Sequence, residues 1–196
     1  MRSGTIRAVT AASTPKGERR RQALVEAAAA LLADRGFDAV RHRAVAERAG
    51  LPLASTTYYF RSLDELVMAA VEHGARAELA ACRTALDAAR VADPGAFVEL
   101  LLDALLGPRG DFDAVLVRYE RFVAAGRRPW LAPLMRELRA ELDSLLADMA
   151  GRFGRSADPD ELARLVAVVD GAVISALIES DPDPRAAARR MLLPLV

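Results

Sequence analysis

The chain is poor in the residues that metal and redox chemistry need. It has one cysteine, Cys82, and two histidines, His42 and His73, in 196 residues. A single cysteine excludes a disulfide framework within the chain. With so few soft and imidazole ligands no metal-binding cluster of sensible spacing exists, and no cofactor is implied. The chain also lacks a Gly-rich phosphate loop, a G-x-S-x-G elbow, a His/Cys pairing and a helix with closely paired inward carboxylates. Those absences argue against an enzyme. No stretch approaches 18 uninterrupted apolar residues, and no N-terminal apolar run has the form of a signal peptide. A cytoplasmic location without a membrane span is therefore expected.

Net charge is missing too, with 27 basic and 27 acidic residues. Its distribution is uneven. Residues 1–62 hold eleven bases against five acids, and residues 63–196 hold sixteen against twenty-two. A basic front on an acidic body suggests a polyanion partner at the front only. Hydrophobic residues make up 53% and charged residues 28%, which fits a folded chain and not a disordered one. The length allows one sizeable core, or one small and one medium domain.

Read in order, residues 1–17 are small, polar and unpatterned. They are expected to form a mobile arm carrying Arg2, Arg7 and Lys16. Glu18 to Arg35 reads as helix, with Leu24, Ala27, Ala28, Leu31 and Leu32 on one apolar stripe and Gly36 as its stop. Residues 41–48 form the next helix, with Val40, Val45 and Ala49 inward. Arg41, His42 and Arg43 sit at its start, where phosphate contact is one reading and a plain surface the other. Gly50 supplies a tight bend, and Pro52 suits the first turn of a helix. That helix carries Leu53, Ala54, Ser55, Thr56, Thr57, Tyr58 and Tyr59 and ends at Phe60, which should close the small core against Leu24, Leu31 and Phe37. Short hydroxyl and apolar side chains suit a helix that enters a major groove about 12 Å wide. Two adjacent tyrosines point about 100° apart, so both cannot be buried.

The run Val45-Ala46-Glu47-Arg48-Ala49-Gly50-Leu51, then Ser55 to Phe60, then Ser62-Leu63-Asp64-Glu65-Leu66, resembles the TetR/AcrR family of bacterial transcriptional regulators. The resemblance covers roughly residues 18–68. It implies an all-α fold: an N-terminal three-helix helix-turn-helix domain at 18–62, followed by a helical-bundle effector-binding and dimerisation domain at 63–196. It also implies a dimer on a double-stranded DNA operator. On this reading the DNA-contacting residues are Arg41, His42, Arg43, Pro52, Leu53, Ala54, Ser55, Thr56, Thr57, Tyr58, Tyr59 and Arg61. The family commonly has Tyr at the position of Thr57 and often Lys at Leu63. Arg61 is placed to take over the phosphate that such a lysine would hold.

Beyond Ser62 the pattern changes to long helices. Ser62 with Glu65 makes a capping box, and the helix that follows runs perhaps to Arg90. Asp93-Pro94 and Gly107-Pro108 are breaks. Residues 111–125 place Phe112, Val115, Leu116, Tyr119, Phe122 and Val123 on one face, with Arg118 and Glu120 turned away from Tyr119. Trp130 to about Phe153 and 160–179 are further helices, and a short one follows Asp183. The 160–179 helix is apolar or small almost all round, so it must be buried all round. A homodimer interface is the expected reason, built from Leu138, Leu142, Leu145, Leu162, Val166, Val169, Val173 and Leu177. As in the family, a small, largely hydrophobic effector is expected among His73, Phe97, Leu101, Tyr119, Phe122, Trp130, Leu134 and Met135. The function so implied is a ligand-responsive regulator, most simply a repressor. A helical small-molecule-binding protein that does not depend on DNA is the alternative, and an enzyme a more distant one.

Overall fold

Helix α1 (Pro15–Arg35) begins a turn earlier than its apolar stripe suggests. The Thr14 hydroxyl accepts a hydrogen bond from the Gly17 amide at 3.1 Å, and Pro15 occupies the first helical position. Both features favour a helix start. Lys16 and Gly17 therefore belong to α1 and not to an arm. The computed structural model describes residues 14–89, 94–107 and 110–196, so residues 1–13 of the expected arm lie outside the described residues.

Among the described residues eight more helices follow: α2 (His42–Ala49), α3 (Leu53–Tyr59), α4 (Leu63–Ala88), α5 (Pro94–Leu106), α6 (Phe112–Gly126), α7 (Ala132–Arg152), α8 (Pro159–Ile178) and α9 (Pro184–Leu192). Short 3-10 turns stand at Phe37–Ala39, Pro129–Leu131 and Leu193–Leu195. No strand occurs among the described residues. None of the described helices is long and apolar enough to cross a membrane.

A first core joins α1, α2 and α3 to the opening turns of α4. Leu24, Leu31, Val40, Val45 and Phe60 are buried in it together with Leu66, Val67 and Ala70. The small domain expected to end at 62 thus needs α4 to complete its core. Ser62 caps α4 by accepting from the Glu65 amide at 3.1 Å. The return bond of the expected capping box goes to the Arg61 amide, which donates to Glu65 at 2.7 Å, one residue before the cap. The second core is the body, where α5 is sunk among the ends of α4 and α6–α9. It buries Leu86, Phe97, Leu101, Val115, Met149 and Val169. A smaller cluster, Ala125, Leu131, Leu134 and Leu138, lies between the two, with Phe37, Val71 and Trp130 packed against it.

The faces of α6, α7 and α8 differ from expectation. On α6, Val115 and Tyr119 are buried, but Phe122 and Val123 are 46% and 59% exposed. The pattern over 111–125 suggests one wide apolar face, but Phe122 borders a cavity, Val123 faces solvent and Ala125 is buried. On α8, Leu162, Val166, Val169 and Val173 are buried inside this chain, and Leu177 packs half-buried against the same body core. Leu138 and Leu145 of α7 are buried as well, and Leu142 is half-buried. The eight residues expected at a dimer interface therefore already serve the chain's own core and cavity wall. The apolar residues of α8 that stay exposed are Ala163, Ala167, Gly171, Ile174 and Ile178. On α9, Ala187 and Leu192 are buried, while Met191 faces out.

Candidate nucleic-acid interface and ligand cavity

The α2–α3 pair presents the shape that its sequence suggests. Gly50 closes α2 with φ 64° and ψ 31°, the left-handed region that an L side chain adopts at a cost of about 1–2 kcal/mol. The Leu51 amide then donates to the Ala46 carbonyl, so the turn is hydrogen-bonded and tight. Pro52 caps α3 in an extended conformation.

Packing sorts the side chains of α3 by face. Pro52, Leu53, Ala54, Thr57 and Tyr58 are exposed, while Ser55 and Tyr59 are half-buried. Tyr58 points outward and Tyr59 leans on the first core, their rings edge to face at 4.9 Å. Thr56, expected to meet DNA, is fully buried, and its hydroxyl donates to the Leu53 carbonyl at 2.8 Å. Its position on the inner face of so short a helix removes it from any groove. Around this face Arg41, Arg43 and Arg61 are exposed. Arg41 donates to the Asp38 carbonyl at 3.1 Å, and Arg43 pairs with Glu47 at 2.9 Å across one exposed helical turn. Such surface pairs contribute little and yield readily to a phosphate. His42 is half-buried beside them, and its Nδ1 has no hydrogen-bond partner.

A cavity of about 540 Å3 lies between this unit and the body. Ala29, Leu32 and Ala33 of α1 and Phe37 form one wall. Val71, Gly74, Ala75, Leu79 and Cys82 of α4 form the second, and α5, α6, α7 and α8 the rest. The lining is mainly apolar, but it carries five charged side chains: Glu78, Arg118, Arg121, Arg139 and Asp170. Arg118 reaches Glu78 at 2.7 Å, donates to the Leu105 carbonyl at 2.9 Å and stacks its guanidinium over the Phe122 ring. Tyr119 is buried, and its hydroxyl donates to Asp170 at 2.8 Å. Burial, and then the bond to this carboxylate, push the Tyr119 phenol well above its usual range. Burial, and then Asp103, push the Cys82 thiol up as well, which keeps it protonated and unreactive.

Residues 24–70 match the sequence profile of the tetR family of bacterial regulatory proteins, and residues 92–196 match that of the tetracyclin repressor-like C-terminal domain. The chain belongs to the TetR family. It is a ligand-responsive, DNA-binding transcriptional regulator. Solved TetR-like structures agree. The multidrug binding protein EbrR complexed with imidazole is 31% identical over 97% of each chain, with a TM-score of 0.65. EbrR complexed with proflavin is 33% identical over 90% of this chain and 99% of that one, with a TM-score of 0.63. A TetR-family member, SCO1917 from Streptomyces coelicolor A3, is 32% identical over 90% and 98% of the two chains, with a TM-score of 0.60. No protein of curated function matches the chain.

Within this TetR-family frame the expected effector residues separate. Tyr119, Phe122 and Met135 line the cavity. Phe97 and Leu101 are sealed in the body core, where Phe97 packs at a tilt against Phe153 and carries Arg155 over its ring. Trp130 and Leu134 belong to the cluster beneath the cavity. His73 lies on the opposite side of α4, in a shallow groove with Arg21, Gln22 and Arg76, and its ring is 3.5 Å from the Gln22 amide nitrogen. Conversely, Leu138, Leu142 and Val166, expected at a dimer interface, line the cavity. Arg118 was expected to turn away and instead faces in, because the guanidinium reaches back over Phe122 to Glu78. The α1 wall and Arg121 went unnoticed in the sequence. The usable signal was the pair Arg118 and Arg121, three apart on a helix otherwise rich in aromatics at that level.

Proposed function

We propose that the chain is a cytoplasmic homodimeric repressor. Filling of its cavity by a small, largely hydrophobic effector releases it from a near-palindromic operator. The observation that carries this reading is the double membership of the cavity wall. Leu32 and Phe37 line the cavity and also belong to the recognition unit, and the same wall continues into α7 and α8. An effector seated there presses on α1 and on the middle of α4 together. If it binds the form that does not fit DNA more tightly by about 1–3 kcal/mol, the coupling is enough for a usable switch. The imidazole and proflavin complexes of EbrR support a small molecule as the signal.

The DNA contacts we assign are Arg41, Arg43 and Arg61 to phosphates, Leu53, Ala54, Ser55 and Thr57 to the groove, and Tyr58 and Tyr59 to the backbone. His42 and Pro52 flank them at the helix starts. Two copies would enter successive major grooves about 34–36 Å apart. The dimer surface we assign is the exposed α8 stripe Ala167, Gly171, Ile174 and Ile178 beside Ala140, Ser144 and Gly151 of α7. Small residues there would let helices of two copies approach closely and form a four-helix bundle. Selection of binding sites from random duplexes tests the proposal. Enrichment of a palindrome is expected, and its absence overturns the two-half-site mechanism.

A further inference from the structure

The charged groups that line the cavity are not equally satisfied. Arg118 and Glu78 hold one another, Asp170 accepts from Tyr119, and Arg139 pairs with Asp143 at 2.7 Å. Arg121 is the exception. Among the described residues its side chain has no hydrogen-bond or ion-pair partner, and its Nε is buried. A buried donor of this kind is left wanting an acceptor. Burial also pulls the Arg121 pKa below its usual value, and the Glu78 charge restores part of it. Glu78 thus serves two guanidiniums, one of which already occupies it at hydrogen-bonding distance.

From this we infer that the effector is an organic anion, with an apolar body for the α1, α4 and α6 walls and an oxyanion head, carboxylate or sulfonate, that accepts from Arg121. The inference rests on the cavity being the effector site. A cation would have to enter beside Arg118 and Arg121 while both nearby carboxylates are engaged. A neutral apolar molecule would leave the Arg121 donor buried and unpaired. An anion satisfies that donor and balances the second guanidinium, and planar oxyanions match the guanidinium fork. About 540 Å3 lies in the range of sites that hold drug-sized molecules.

The test is a fluorescence titration of the full chain with two probes of one ring system. These are 8-anilinonaphthalene-1-sulfonate and its neutral counterpart N-phenyl-1-naphthylamine. In Arg121→Gln the sulfonate is expected to bind at least tenfold more weakly, with the neutral probe changed less than twofold. Arg121→Lys keeps a charge at the site but loses the planar fork, so it is expected to bind the sulfonate several-fold more weakly with the neutral probe unchanged. It carries the test should the glutamine variant fail to fold, and an unchanged sulfonate affinity there overturns the assignment. Phe122→Ala should weaken both probes, which places them in the cavity. If the neutral probe binds but Arg121→Gln weakens both equally, or leaves the sulfonate unchanged, the anion assignment falls and the cavity remains an effector site. If neither probe binds the unaltered chain, the anion assignment and the cavity reading fall together.

Discussion

Thr56 and Leu53 stand three residues apart on α3, about 60° apart around the helix, yet meet different surroundings. Thr56 is enclosed, with its hydroxyl bonded to a carbonyl of its own helix, while Leu53 is 53% exposed at the leading end. Thr56→Val is therefore expected to shift stability by about 1 kcal/mol or less in a denaturant melt and to leave the preferred DNA sequence unchanged. Leu53→Gln should leave the melt alone and alter the preferred bases in a selection, because an apolar contact to a thymine methyl is exchanged for hydrogen bonding. Arg43 is a different case. Among the described residues its exposed guanidinium is held only by Glu47, so Arg43→Ala should weaken binding to all duplexes alike and reduce the salt slope by about one. Three consecutive hydroxyl residues, Ser55 to Thr57, look alike in the sequence. Which of them faces DNA is decided by packing against α1, a long-range contact that no local pattern reports. Arg121 escaped notice for the same reason, since an unpaired arginine is visible only when its surroundings are known.

At the scale of elements, α4 does two jobs along its length. Leu66, Val67 and Ala70 are buried in the first core, and Leu79, Cys82 and Leu86 face the body. Gly74 lies between these anchors and lines the cavity. A Cβ added there meets nothing within 4 Å. Gly74→Ala should therefore raise stability by about 1 kcal/mol, as expected for a helix interior. It should also blunt release from DNA by effector, since the added methyl stands in the cavity wall. Calorimetry and an operator-release titration read the two effects separately. The α5–α9 contact is electrostatic at its edge. Glu99 accepts from Arg185 at 2.7 Å and from Arg189 at 2.8 Å, and the Arg185 bond holds its carboxyl below the usual range. A lowered carboxylate pKa adds stability that is present above the unfolded value and lost as pH falls through the folded one. Wild type should thus exceed Glu99→Gln in thermal stability at neutral pH, and the gap should close on acidification below about pH 4. The helices themselves were legible from periodicity and caps, α1 through α3 most clearly. The face each presents was not always so. For α8 the all-round apolar pattern implied burial on every side, but within this chain only one stripe, with Val166, Val169 and Val173, lies in the core, while Ile174 and Ile178 are exposed.

The whole molecule shows its division of labour on α8. Val173 is enclosed within the chain, and Ile178 is 78% exposed. Ile178→Asp should leave the monomer folded yet give a monomer by light scattering at micromolar concentration, and with it a large loss of affinity for a two-half-site duplex. Val173→Asp should instead prevent folding, because it buries an unpaired charge. A dimeric Ile178→Asp protein would remove the α8 stripe from the proposed interface.

The sharing of α4 between two cores also bears on how this protein can be cut and recombined. A hybrid that carries a foreign DNA-reading head on this body would sever Leu66, Val67 and Ala70 from their own neighbours if joined at Ser62. A splice placed between Val71 and Ala75 keeps the two main cores intact and cuts only the smaller cluster between them. The exchangeable unit is therefore longer than the helix-turn-helix itself, and it includes the first two turns of the helix that the two cores share.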